Sequence, residues 1–248
     1  MYQIPIKIKH SPTLRQESIL KTLVERYIQT GKPVSSEEIK KLANLDVSSA
    51  TIRIELAHLE KQGLVYHPYS SAGRFPTNYG YRYFVQKLTK DEEISWTEKE
   101  KLIAELIPYS DQYNELVKKI VQALSEITSQ VALATLPNGE IYKKGLVNFL
   151  KNEINQQQED IFETIEAIEN FEQYSDLFLE EISGYKIYIG DESPLEGMDN
   201  YCLALTDYQL GQWQTKGIIG VLGNKRIPYH KIKPFLVFFA DFLNGKVV

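Results

Sequence analysis

The chain has 248 residues, 43% hydrophobic and 25% charged, a soluble globular balance with room for one large domain or two ordinary ones. No apolar run reaches the roughly 18–20 residues that a membrane-spanning helix needs, and the opening MYQIPIKIKH lacks the apolar stretch of a signal peptide. The net charge of −5 hides an asymmetry: residues 1–90 carry 14 Lys and Arg against 7 Asp and Glu, the remainder 14 against 26. A basic first third points to a polyanion met by that third alone; a chance imbalance between two solvated surfaces is the alternative.

The first predicted element is a helix opened by Thr13-Leu-Arg-Gln16, a hydroxyl at the N-cap with Gln three residues on. Ile19, Leu20, Leu23, Val24, Tyr27 and Ile28 recur at helical spacing before Gly31 and Pro33 close it. Ser35-Ser-Glu-Glu38 opens a short second helix with Ile39, Leu42 and Ala43 inward. After a turn at Leu45-Asp-Val47, Ser48 caps a third helix that runs to about Gln62 and ends at Gly63. Leu64 to His67 and Arg74-Phe75 then read as two strands, and Thr77 caps the next helix. Three short helices and a strand pair form a helix-turn-helix followed by a wing.

On the third helix Ile52, Leu56 and Leu59 make one stripe and face the core, which turns Ala50, Thr51, Ile54, Ala57 and His58 outward with Arg53 on the flank. Small outward residues let a helix come close to base edges; Thr51 can reach a base or phosphate, and Ile54 can cover a thymine methyl. Ser48 and Ser49 stand at the helix N-terminus, which favours an anion. Ser48 is equally readable as a cap, and Ile54 as packing on a neighbour. Ser71 and Gly73 in the wing tip give a turn without bulk, so the backbone can approach a duplex, and Arg74 stands where it can reach a phosphate or a narrow minor groove. Among the aromatics that follow, Tyr81 and Phe84 are expected in the core; Arg82 is either a phosphate contact or a salt bridge.

Beyond a polar linker from Lys90 to Glu98, Thr97-Glu-Lys-Glu100 is expected to cap a helix. A long amphipathic helix from Tyr113 carries Leu116, Val117, Ile120, Val121, Leu124 and Ile127, and Val131 to Leu136 reads as a strand. Residues 151–183 hold ten acids against one base, with Ile161, Phe162, Ile165, Ile168 and Phe171 at helical spacing. This reads as a surface helix with a solvated acidic face, or as a partner-binding one. Three strands, Tyr185–Ile189, Tyr201–Leu205 and Lys216–Leu222, precede a final helix with Ile232, Phe235, Leu236, Phe239 and Phe242 inward. A sheet flanked by helices gives a small α+β domain.

The run Leu14-Arg-Gln16, Ser49-Ala-Thr-Ile-Arg53, Leu59-Glu60, Ser71-Ala-Gly-Arg74 and Pro76-Thr77 with Gly80-Tyr-Arg-Tyr83, joined by Gly217-Ile-Ile-Gly-Val-Leu-Gly223 later, resembles the HrcA family of heat-inducible transcription repressors. The resemblance implies an α+β protein with an N-terminal winged helix-turn-helix domain over 1–90 and a GAF-like regulatory and dimerising domain over 91–248. It further implies a cytoplasmic homodimer that binds an inverted-repeat operator and represses chaperone operons until heat stress, with the chaperonin as modulator. Two departures stand out. Similar sequences usually carry Asn after Arg53 where this chain has Ile54, so either its base preference differs or that position reads no base. Family members also carry a dimerising domain inserted in the GAF-like fold, and here the sequence jumps near 136–140, at Leu136-Pro-Asn-Gly139. Dimerisation is then expected from the helix at 113–129 or the final helix.

No enzyme is expected. The glycine-rich run from Gly217 to Lys225 lacks the ending of a phosphate loop. Four histidines and one cysteine show no metal-ligand spacing. Cys202 and His230 could pair as nucleophile and base, but Cys202 lies in an apolar strand and reads as a buried thiol. A single cysteine also suits a reducing cytoplasm. No catalytic, cofactor or metal site is therefore expected. Two rival readings keep the winged helix: a repressor controlled by a small molecule bound in the C-terminal domain, and an adaptor whose winged helix binds protein.

Overall fold

The computed structural model describes residues 11–67, 69, 73–153, 158–210 and 215–246, in two compact units that meet in the chain between Lys90 and Asp91.

In the first unit, α1 (Leu14–Thr30) starts at Thr13, whose hydroxyl accepts from the Gln16 amide while the Gln16 side chain accepts from the Thr13 N–H, and ends at Gly31 with φ 63°. Helix α2 (Ser36–Ala43) is capped by Ser35 and stops at Asn44, whose φ is 48°. Helix α3 (Ser49–Lys61) is capped by Ser48. Strands β1 (Val65–Tyr66) and β2 (Phe75–Pro76) pair antiparallel. Helix α4 (Asn78–Tyr83), capped by Thr77, runs into a wider π turn over Phe84–Leu88. Ile19, Leu20, Leu23, Val24, Ile39, Ile52, Leu59 and Leu64 are fully buried and form the core; each such side chain contributes about 1.5–3 kcal/mol relative to exposure.

One expectation fails here. Leu42 is 53% exposed, because α2 ends one residue later and buries only Ser36 and Ile39. Tyr83 joins Tyr81 and Phe84 in the core, its hydroxyl donating to Glu17 at 2.5 Å.

The second unit opens with α5 (Trp96–Leu106), whose cap is Ser95 rather than Thr97. Helix α6 (Tyr113–Thr128) leads into β3 (Val131–Thr135) and β4 (Ile141–Lys144). Helices α7 (Leu146–Glu153), α8 (Gln158–Glu169) and α9 (Ser175–Glu181) follow. The chain ends with β5 (Lys186–Ile189), β6 (Tyr201–Leu210), β7 (Thr215–Asn224) and α10 (Tyr229–Leu243). The sheet order is β4-β3-β7-β6-β5, antiparallel throughout, and the whole is α+β as expected.

Strand alternation divides this unit. Leu133, Leu203, Leu205, Ile218 and Leu222 gather on one sheet face with Phe149, Phe171, Phe178 and Ile182. Ala132, Ala134 and Ala204 fall on the other, where small side chains let α6 and α10 lie close. Leu116, Val117, Ile120, Val121 and Leu124 are all buried within the unit, so the apolar face of α6 packs on its own sheet. Phe162 is 71% exposed, since it lies about 240° round α8 from the buried Ile168; the Ile161 side chain lies outside the described residues.

Tyr208 crosses β7 at Gly217, where a Cβ would stand 2.3 Å from the ring. Its hydroxyl donates to the Thr135 carbonyl on β3, and burial pushes the phenol up to about 12. Strand β4, which the polar Ile141-Tyr-Lys-Lys144 did not announce, is joined to β3 by a tight turn. Leu136 N–H donates to the Glu140 carbonyl at 2.7 Å and Gly139 takes a φ of 87°.

Candidate nucleic-acid interface

Helix α3 turns its small and polar side outward. Ile52, Leu56 and Leu59 are 0–3% exposed, whereas Ile54 is 59% exposed; Ala50, Arg53, His58 and Lys61 are exposed beside it, and Ser49, Thr51 and Ala57 half-buried. Ser48 is the cap: its Oγ accepts from the Thr51 N–H at 3.1 Å and lies 2.9 Å from Thr51 Oγ1. With one of the first-turn N–H groups satisfied in this way, the others still point along the axis with the positive end of the helix dipole.

The helix is held from behind. Arg53 Nε donates to Ser36 Oγ on α2 at 3.3 Å. Glu55, with its side chain 14% exposed, accepts from Gln16 Nε2 at 2.9 Å and Arg15 Nη1 at 3.3 Å, and faces His58 Nδ1 at 3.7 Å.

The wing departs from expectation. Arg74 does not point outward: its side chain is 19% exposed, and Nη2 lies 3.2 Å from Glu60 Oε2 on the last turn of α3. His67 Nδ1 pairs with the other oxygen of the same carboxylate. The Arg74 backbone exchanges two hydrogen bonds with Val34, at 3.0 and 2.9 Å. Gly73 is needed for that approach, since a Cβ there would lie 2.7 Å from the Val34 carbonyl carbon and oxygen. The missing side chain thus lets the wing meet its own chain at Val34. Arg82 is 5% exposed, too buried for a phosphate contact, whereas Tyr79 on the same helix is 57% exposed. Ser71 lies outside the described residues.

Exposed groups that the sequence reading passed over complete the surface. Lys40 and Lys41 are exposed on the last turn of α2, the helix that crosses the backbone in this motif. Tyr66 and Tyr69 are 47% and 64% exposed on the wing, Tyr66 stacking on Phe75 at 5.4 Å. Their signal was the Lys-Lys pair at the end of α2 and a Tyr at an outward strand position.

In the second unit, Phe149, Phe171 and Phe178, each fully buried, fill the sheet face beneath α7–α9. Cys202 is fully buried with Sγ 3.6 Å from the Asn224 carbonyl, while His230 pairs with Glu92 at 3.4 Å. Among the described residues no cluster of three or more His, Cys, Asp or Glu could hold a metal, and no helix is long and apolar enough to cross a membrane.

A family model described as "Winged helix-turn-helix transcription repressor, HrcA DNA-binding" matches residues 11–90, and one described as "HrcA protein C terminal domain" matches residues 83–232. The "Heat-inducible transcription repressor HrcA" of Pseudarthrobacter chlorophenolicus is 38% identical over 124 residues, which are 50% of this chain and 36% of that protein. The protein of that name from Clostridium perfringens is 40% identical over 126 residues, 50% of this chain and 37% of its own length. The matched stretch is thus little more than a third of these relatives. A crystal structure of a hypothetical protein shares the fold, with a TM-score of 0.72 and 17% identity over 96% of this chain and 99% of that one.

Proposed function

This chain belongs to the HrcA family, and from that premise we propose that it is a transcription repressor which binds operator DNA as a homodimer through residues 1–90. Residues 91–248 serve as the GAF-like regulatory and dimerising domain. The observation that carries the reading is the exposed face of α3, where Arg53, Ile54 and His58 stand outward around a capped helix start. Such a helix fits the major groove, with Thr51, Arg53 and Ile54 toward base edges and Ser49 toward a phosphate at the helix start. Lys40, Lys41 and Lys61 are placed to neutralise backbone charge, and Tyr66, Tyr69 and Ser71 belong to the wing that reaches the backbone or minor groove. Ser48 contributes as the cap.

Operation follows the family: the operator is an inverted repeat upstream of chaperone operons, the protein acts in the cytoplasm, and heat stress relieves repression with the chaperonin as modulator. The packed aromatic layer under α7–α9 argues against a ligand cavity on that sheet face. The test is a fluorescence titration of the full chain with duplexes from upstream of its own chaperone operons and an unrelated duplex, at two salt concentrations. Binding that prefers the former and weakens at least tenfold with the added salt is expected for several phosphate contacts. Equal, salt-insensitive or absent binding refutes the reading.

A further inference from the structure

The wing of this protein is poorly held by its own strands. Each strand is two residues long, pairing Val65 with Pro76 and Tyr66 with Phe75, and Pro76 has no N–H to give to the ladder. Arg74 offers its backbone to Val34 and not to β1. Phe75 anchors the base by edge contact with Tyr27 at 5.5 Å and stacking under Tyr66. Among the described residues these contacts hold the base of the hairpin and its β2 arm at Val34, and leave the arm after β1 to side-chain contacts.

We propose that Glu60 is the positioning residue of the wing. Its carboxylate lies on the last turn of α3 and takes one nitrogen-bearing side chain from each arm of the hairpin: His67, next after β1, and Arg74, just before β2. One side chain of the reading helix thus grips both arms where the strands end and the tip begins. A change in its length moves the wing relative to the helix that enters the groove. Arg74 acts through Glu60 and not on DNA, as its 19% exposure and its inward Nη2 require. A second carboxylate oxygen is needed to hold both partners at once, which a neutral amide would do poorly because it offers one acceptor and two donors. This inference rests on the DNA-binding reading only for its effect on affinity; the grip itself belongs to the free protein.

The experiment uses the full chain with Glu60→Gln, Glu60→Asp, Arg74→Gln and the double variant Glu60→Gln/Arg74→Gln. The first readout is amide exchange in the free protein. Exchange over residues 65–77 is expected to rise about tenfold in all four, with α1 and α3 amides unchanged. The Asp variant is decisive for folding and charge alike: it keeps the carboxylate but shortens its reach, so wild-type exchange in it overturns the grip. The second readout is affinity for a random 30-base-pair duplex. Each single variant is expected to bind about five- to tenfold more weakly, and the double variant no more than about twofold below either, since one unit has been broken. Tighter binding by Glu60→Gln, with a loss confined to Arg74→Gln and a salt slope lower by about one, would make Arg74 a direct phosphate ligand and overturn the proposal. If the wild type binds no duplex, the DNA reading falls while the exchange arm still decides the role of Glu60.

Discussion

Arg53 and Ser36 join the outward helix to the one before it: the Arg53 Nε donates to the Ser36 hydroxyl at 3.3 Å, while Arg53 remains exposed and Ser36 is 8% exposed. A guanidinium anchored by one nitrogen presents the others in a fixed fork, which suits bidentate recognition of guanine or phosphate. Arg53→Ala is therefore expected to weaken operator binding about tenfold with little change in thermal midpoint. Arg53→Lys should recover less than half of that loss in free energy, since an ammonium cannot keep both contacts. Fluorescence titration and a thermal melt of the same preparations check both statements.

Arg82 predicts the opposite pattern. It is buried at 5% exposure, so Arg82→Ala empties a buried site and is expected to destabilise the protein by about 2–4 kcal/mol. Chemical denaturation should show a lower midpoint, and at temperatures where the variant remains folded its DNA affinity should match the wild type. A selective loss of affinity in a fully stable variant would return Arg82 to the DNA surface.

Ile54 governs base preference. At 59% exposure it supports nothing inside the domain, so Ile54→Asn is expected to leave stability unchanged within about 0.5 kcal/mol. The amide can pair with adenine where isoleucine meets only apolar groups, a difference of about 1–3 kcal/mol per base contact. Selection from a random duplex pool should show a shift toward adenine at one position of each half-site. Identical preferences in the two proteins would mean that this position faces no base.

Glu55 stabilises the N-terminal unit by joining Gln16 and Arg15 of α1 to α3. Glu55→Ala removes the acceptor from a buried amide and is expected to cost about 1–3 kcal/mol. Urea unfolding of the full chain measures this, and Glu55→Gln, which keeps an acceptor, should recover part of it.

Tyr208 makes the stability of the protein sensitive to alkali. Its phenol is raised to about 12 in the folded state from about 10 in the unfolded chain, so the folded state holds its proton more tightly. The corresponding stability is fully present below about pH 10 and is lost as the pH rises through about 12. Tyr208→Phe removes the hydrogen bond to Thr135 and is expected to lower stability at pH 7 by about 1 kcal/mol. It should also flatten the decline above pH 10, a trend that Tyr83 and Tyr188, both raised by burial, add to. An unchanged alkaline decline in the Phe variant would assign the effect to those two.

The local part of the fold was legible because its cues are local. Thr13 with Gln16, Ser35, Ser48 and Thr77 mark helix starts by capping chemistry, and the stripe Ile52, Leu56 and Leu59 marks the buried side of α3 from spacing alone. The opposite reason holds for Arg74, which reads as outward in the sequence, and for Arg82, which reads two ways there. What each guanidinium does depends on partners brought to it by folding, such as Glu60, fourteen residues before Arg74, and residue type and exposure cannot be read from neighbours in the chain. Ile141-Tyr-Lys-Lys144 failed as a strand signal because β4 lies at the sheet edge and is half open to solvent, so its pattern lacks the apolar alternation of a covered strand.

The turn at Leu136–Gly139 has a consequence for how this architecture changes over time. It closes β3 onto β4 at the rim of the sheet, so the two strand ends it connects are neighbours whether five residues or a whole module lies between them. Lengthening such a link adds only about 0.6 kcal/mol per doubling and disturbs no strand register. The turn is thus a socket: a self-folding body can be plugged in or withdrawn there while the sheet, its two covering layers and the attached reader stay as they are.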